Sequence, residues 1–447
     1  MVWMIAKREF LDNLLSFRFA VAFVLVLILS AFSAYVLNED YKRQLDDYYT
    51  RVQMQDKLLT DFAHLNRLQM VNHPIKPPAK LGALFRGIPE DALVESFDNN
   101  PAQIFFPPMD FLFIVSVIMS LLAILFAYDA VCGEKERGTL RLAISTSVPR
   151  GKLLLGKWLG GLLSLLLPFT VSFILGLLIT VAGLGPGWSG NDWAAIGLIF
   201  LGSLLYVACF FALGMLMSSR TERSSISLVA GLLVWAVLTL IVPNLAPYLA
   251  AWGSPLPPAS VVENKLNKIA QEMGQAKSET ARRLYRETGS QAKALEKLLP
   301  LIPEIEAKFN SRKNELFNSF LRKRIRQIKL SIVISMISPY SSYIYWGTEL
   351  SGTGMYAYEV YFMGRKKQFQ HIFGSYVLSK WNTLKKENPQ MTFETLIDVS
   401  DRPRFNFVEE RVSGRLRVSY IYLSALLIFN VIFFMGAFMS FLRYDVR

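Results

Sequence analysis

Six long apolar runs dominate this chain, at residues 17–37, 109–128, 159–184, 193–217, 226–245 and 418–442. A hydrocarbon layer ~30 Å thick is crossed by roughly 20 apolar residues in a helix, and a backbone in lipid must satisfy its own hydrogen bonds. The runs therefore predict an all-α polytopic membrane protein with six transmembrane helices. Composition agrees: of 447 residues, 52% are hydrophobic, and mean hydropathy is +0.32. The first run follows a charged stretch and lacks a small-residue cleavage site after it, so it reads as a retained span and not a signal peptide.

Charge on the short connections sets an orientation. Lys135, Arg137, Arg141, Arg150, Lys152 and Lys157 lie around the connection between the second and third runs, and Arg220 and Arg223 follow the fourth. The chain ends carry Lys7, Arg8, Arg18, Arg443 and Arg447, whereas GLGPGWSGND has neither Lys nor Arg. By the positive-inside rule, both termini and the 129–158 connection face the cytoplasm, and the expected location is the bacterial cytoplasmic (inner) membrane. Much of the net charge of +13 then falls on outside loops, where membrane lipids are the simpler partner and nucleic acid is not implied.

Between the runs the chain is organised in four parts. Residues 1–16 place Trp3, Phe10 and Leu14 at helical spacing among charges, the pattern of a cytoplasmic interfacial helix. Residues 38–108 form an extracytoplasmic loop that opens helix-like and ends in proline-rich sequence. Residues 246–417 are the size of a domain. Their apolar positions, from Val262, Leu266, Ile269 and Met273 to Leu316 and Phe320, step by three and four, which predicts long amphipathic helices in a hairpin broken near Gly289 and PLIP. The SIVISMIS segment is too short and interrupted for a crossing, and the tyrosines around Trp346 suit the outer membrane interface. A further helix over 355–386, an irregular 398–407 stretch and a cytoplasmic tail at 443–447 complete the chain.

The connection after the second run reads YDAVCGEKERGTLRLAISTSVPRGKLLLGKWLGG. It resembles the signature of type-2 ABC exporter permeases, in the subset with large extracytoplasmic loops. The positions that carry the resemblance are Asp129, Glu134 or Glu136, Gly138, Thr139, Leu140, Ser145, Arg150, Gly156 and Lys157. The resemblance implies a soluble ABC ATPase (nucleotide-binding) subunit docked on this loop, in an assembly with a second permease copy or close homologue. It also implies that ATP and Mg are bound by that partner and not by this chain, and that the first, second and fifth spans line the path. Read from its residues alone, 134–145 is a short amphipathic helix whose Glu134, Glu136, Arg137 and Arg141 ring an apolar anchor that includes Leu140, which suits a docking surface.

Other chemistry is weakly signalled. GKLLLGKW at 151–158 spells G-x-x-x-x-G-K but places Trp158 where a phosphate-binding loop needs Ser or Thr for Mg²⁺, and no convincing strand precedes it. It reads as the cytoplasmic end of the third span, with Lys152 and Lys157 at headgroup level. His64, His73 and His371 are scattered, and Cys132 and Cys209 suggest neither a disulfide nor a metal site. The span centres lack ionisable groups, unlike proton-driven transporters. The membrane path is then apolar or hydroxyl-lined, with Ser164, Thr170, Ser172, Thr180, Ser203 and Thr239, which favours an amphiphilic substrate, lipidic or peptidic. Tyr340, Tyr343, Tyr345 and Trp346 are either an anchoring belt or aromatics of an exit surface. A membrane-anchored receptor or scaffold is the rival reading for the whole chain.

Overall fold

The computed structural model describes residues 1–58, 62–64, 74–87, 109–140, 149–184, 187–298, 301–388 and 395–443. Its helices are α1 (Val2–Leu14), α2 (Phe17–Leu58), α3 (111–127), α4 (Cys132–Glu136), α5 (Arg150–Leu184), α6 (Gly190–Arg220) and α7 (Ser224–Gly253). There follow α8 (Ala259–Thr288), α9 (Gln291–Leu298), α10 (Ile302–Ser335), α11 (Pro339–Ser351), α12 (356–387) and α13 (Val412–Leu442). Among the described residues, α2, α3, α5, α6, α7 and α13 are long and apolar enough to cross a membrane. The fold is thus all-α and polytopic, apart from one short antiparallel pairing of β1 (Phe62–His64) with β2 (Leu396–Asp398). That pairing replaces the start of the expected irregular 398–407 stretch. The chain divides into two units, Met1–Thr239 with Pro339–Arg447, and Leu240–Ser338; the boundary falls inside α7.

In the first unit α6 is the central helix. Every residue from Tyr206 to Leu216 is buried, the all-round burial of a helix enclosed by others. It packs on α3, α11 and α13, while α2 and α1 pack on α5. Phe111, Phe169, Phe173 and Phe200 tie α3, α5 and α6 together, with centroids 4.7 Å (Phe111–Phe173), 4.9 Å (Phe173–Phe200) and 5.4 Å (Phe169–Phe200) apart; such pairs contribute about 0.5–1.5 kcal/mol each beyond area burial. Outward-facing Phe32, Leu201, Val229, Leu233 and Val431 are exposed, as lipid-facing side chains should be. The first span does not stop at its apolar run. Its 42 residues reach ~63 Å as one helix, twice the hydrocarbon thickness, and the outer half is held by Asp40–Arg86 at 2.6 Å and Asp56–Arg402 at 3.4 Å.

Two spans contain π-helical turns, Ile114–Met119 in α3 and Val237–Ile241 in α7. A π turn loosens the regular hydrogen-bond ladder and needs partners for its polar groups in lipid. In α3 the Ser116 carbonyl accepts from Ser120 Oγ at 2.6 Å and from the Tyr206 hydroxyl at 2.8 Å. Trp235 Nε1, two residues before the α7 bulge, donates to Ser120 Oγ at 2.9 Å.

The second unit is the hairpin that the spacing predicts. α8 ends at Gly289, whose φ of +62° is the left-handed cap that favours glycine. α8 and α10 run antiparallel, joined by Lys277–Glu306 at 2.6 Å and Arg312–Glu272 at 2.9 Å. The far end of α10 packs on the last turns of α7, with Gln327 donating to the Ser254 carbonyl at 3.1 Å.

Candidate functional site

The loop after α3 is built from its glycine outward. α4 is a single short turn of helix that stops because Gly138 adopts φ +73°, a conformation costly for any residue with a Cβ. The Gly138 N–H donates to the Lys135 carbonyl at 3.0 Å. The expected helix over 134–145 is therefore broken at Gly138, and Arg141 and Ser145 lie outside the described residues. What remains exposed is a knuckle, Glu136, Arg137, Gly138 and Thr139, while Leu140 is buried as its anchor.

Each neighbouring span holds this loop by a different bond. Ser218, near the end of α6, accepts from the N–H groups of Val131 and Cys132 at 3.0 Å each, capping the start of α4 from outside. Lys135 reaches back to the last carbonyls of α6, Ser219 at 2.6 Å and Thr221 at 3.1 Å. Glu136 accepts from the Ser224 N–H at 3.1 Å and its hydroxyl at 2.7 Å, placing a carboxylate at the N-terminus of α7 where the helix dipole favours it. Arg18 of α2 pairs with Asp129 at 2.9 Å and lies over the Tyr128 ring. Arg150, at the start of α5, donates to the Leu442 carbonyl at the end of α13, 3.0 Å away.

The tightest attachment runs through Lys157. Its ammonium, 5% exposed, lies 2.8 Å from Glu134 and 3.3 Å from Glu9. Burial raises the Glu9 carboxyl above its ordinary range, and Lys157 pulls it back. Lys157 is thus not an exposed lysine free to meet headgroups; it is enclosed between two carboxylates. Residues 151–158 form the opening turns of α5, not a loop. Their glycines have another use: a Cβ on Gly156 would stand 2.7 Å from Ile5 Cβ, and one on Gly160 2.7 Å from Glu9 Cβ. Gly156-x-x-x-Gly160 is a small-residue groove that receives α1. Sequence reasoning missed this groove, although the G-x-x-x-G spacing was visible, as was Glu9 set one helical repeat after Val2, Ile5 and Ala6.

Two of the four aromatics of the tyrosine-rich stretch, Tyr343 and Trp346, are enclosed within the bundle. α11 is packed against α6 and α13. Tyr343 and Trp346 are 0% and 1% exposed. The Tyr343 hydroxyl is 2.8 Å from Ser203 Oγ, its ring stacks on Tyr206, and Trp346 Nε1 donates to the Leu198 carbonyl at 3.3 Å. Ser203 lies ~20 Å along α6 from Gly190, so these aromatics sit deep beside a span and offer no exit surface in this conformation. Gly202 and Gly347 make room, facing Trp346 and Leu112 respectively. Tyr345 stacks on Tyr422 at the rim, half-buried like Tyr340. The span hydroxyls Ser164, Thr180 and Ser203 bond to carbonyls of their own helices, as helix-packing groups do.

Comparison with known proteins gives the same picture. A family model described as ABC-2 family transporter protein matches residues 3–446. The chain is 35% identical over 152 residues to the probable ABC transporter permease protein NosY of Pseudomonas aeruginosa, covering 31% of this chain and 55% of that protein. It is 33% identical over 131 residues to the protein of the same description from Stutzerimonas stutzeri, covering 29% and 46%. The chain thus spans about half the length of the curated relatives it matches. With the family match running almost end to end, this multi-pass membrane protein belongs to the ABC-2 family of transporter proteins.

Proposed function

We propose that this chain is the membrane-spanning permease subunit of an ABC exporter that moves an amphiphilic substrate, lipidic or peptidic, outward. In this reading ATP and Mg are bound by a separate ATPase subunit, a second permease copy completes the path, and the assembly lies in the bacterial inner membrane with both chain termini cytoplasmic. The carrying observation is the construction of the 129–140 loop. It presents an exposed Glu136–Arg137–Gly138–Thr139 knuckle while being bonded to α2, α5, α6 and α7. A push on the knuckle is delivered to four spans at once, which is what coupling to an external motor requires. A receptor or scaffold has no use for such wiring.

Arg137 tests this reading, because reversing it leaves the bonds of Glu134, Lys135 and Glu136 in place. Arg137→Glu should insert normally, since surface changes usually cost within about ±0.5 kcal/mol. It should release the co-purifying ATPase and abolish substrate-stimulated hydrolysis, because losing a buried interfacial charge pair costs ~2–5 kcal/mol. Lys265→Glu, in α8, is the control. A loop variant that keeps its ATPase and full transport would return the receptor reading to first place.

A further inference from the structure

The second unit places a block of positive charge at a defined height. Gln327 bonds to Ser254, and Leu330 lies 3.0 Å from where a Cβ on Gly253 would stand, so α10 passes the end of α7 antiparallel to it. The apolar run of α7 ends at residue 245. The next eight residues add ~12 Å, more than the 5–8 Å or so that headgroups add to each face of the hydrocarbon. Tyr248 and Trp252 on that stretch are 70% and 83% exposed, as interfacial aromatics are. Val333 on α10, and Ile337 just past its end, are exposed on the hydrocarbon side of Gln327. On its other side, within ~8 Å along the axis, come Arg322, Lys323, Arg324 and Arg326, with Lys329 one half-turn below. Arg322, Lys323, Arg326 and Lys329 are exposed.

No acidic residue occurs between Glu315 and Glu349, and residues 240–258 carry no charge. Farther out along the hairpin, by contrast, Lys277 and Arg312 are matched by Glu306 and Glu272. Along α10 itself the charge at the aromatic level is therefore all positive, with Glu263 of α8 the nearest acid across the hairpin. We propose that this collar on α10 binds the phosphates of anionic phospholipids at the membrane surface where α7 ends. Apolar stems lie along the Val333 side while charged heads reach the headgroups, and each such side chain strengthens binding about fivefold. The proposal concerns lipid recognition and does not depend on the transport reading.

The test uses the full chain in nanodiscs of phosphatidylcholine with and without phosphatidylglycerol, with retained lipid then counted by mass spectrometry. A collar variant carries Arg322→Gln, Lys323→Gln, Arg324→Gln, Arg326→Gln and Lys329→Gln. A distal variant carries Arg282→Gln, Arg283→Gln, Arg286→Gln, Lys293→Gln and Lys297→Gln, the same change in net charge at the far end of the hairpin. Wild type and the distal variant should retain excess phosphatidylglycerol that high salt removes, and the collar variant should lose at least about tenfold of it. A milder Arg322→Gln, Lys323→Gln, Arg326→Gln variant should fall between, which guards against misfolding of the fivefold one. Equal loss in the collar and distal variants would overturn the proposal. So would a collar variant that keeps its phosphatidylglycerol, including one that instead loses a co-purifying acidic protein.

Discussion

Lys157 and Glu134 form an ion pair of 2.8 Å in which the lysine is 5% exposed, joining the third spanning helix to the loop that follows the second. With Glu9 on the other side, one ammonium serves two carboxylates from two different elements. Removing it leaves both acids, each about a quarter exposed, facing each other without their shared counter-charge.

Lys157→Ala should therefore destabilise the chain by ~3–5 kcal/mol, the usual cost of breaking a buried ion pair from one side. Replacing all three charges together, by Glu9→Gln, Lys157→Met and Glu134→Gln, should recover most of that loss. Denaturant titration in detergent checks both. In the proposed complex the triple variant should fold yet hydrolyse ATP without regard to substrate, because the loop and α1 are no longer tied.

Gly160→Leu should undock α1 without preventing insertion of the spans. The added side chain has nowhere to go, since a single Cβ there already meets the Ala6 backbone and Glu9 Cβ. Ala6 is 0% exposed. A cysteine at that position, in a Cys132→Ser, Cys209→Ser background, should resist a maleimide in the otherwise wild-type chain and react once Gly160→Leu is added. Equal reactivity in both would show that α1 is not held by this groove.

Much of this was legible beforehand, for reasons particular residues make clear. The six spans announce themselves because lipid allows only one solution for a long apolar run, and the α8–α10 hairpin because Leu and Ile recur at three and four. The loop was found from Gly138-Thr139-Leu140 in its place between spans. Its attachments were not, because each partner (Ser218, Ser224, Glu9) is remote in sequence and ordinary in type. The misplacing of Tyr343 and Trp346 has a physical cause. A tyrosine-rich segment looks interfacial by composition, but the hydroxyl of Tyr343 and indole of Trp346 find Ser203 and the Leu198 carbonyl inside the bundle, so burial leaves no polar group unpaired.

Outside the membrane, Asp401 offers a titration test. Its carboxyl is held below the usual aspartate value by the Tyr376 hydroxyl, 2.6 Å away, and then by Lys380. A carboxyl lowered in the folded state adds stability above its unfolded value of 3.8, and that stability is lost as pH falls below it. The protection of α12 amides from hydrogen exchange, taken relative to the intrinsic rate at each pH, should fall below about pH 4 in the wild type, since Phe373 and Val377 pack on Ile397 and Val399. Asp401→Asn should show the lower protection already at neutral pH, with little further change on acidification. An acid response unchanged by the substitution would place the sensitive group elsewhere.

The groove at Gly156 and Gly160 also bears on how the chain is made. α1 leaves the ribosome ahead of the surface it fits, which is encoded about 150 residues later, or roughly 8–30 s of synthesis at bacterial rates. Throughout that interval the helix must wait with Glu9 lacking its lysine. Trp3, Met4 and Leu11, all exposed in the finished fold, can give it a lipid foothold meanwhile. The apolar face that α1 leaves exposed in the finished fold is thus the face open to a lipid surface from the beginning.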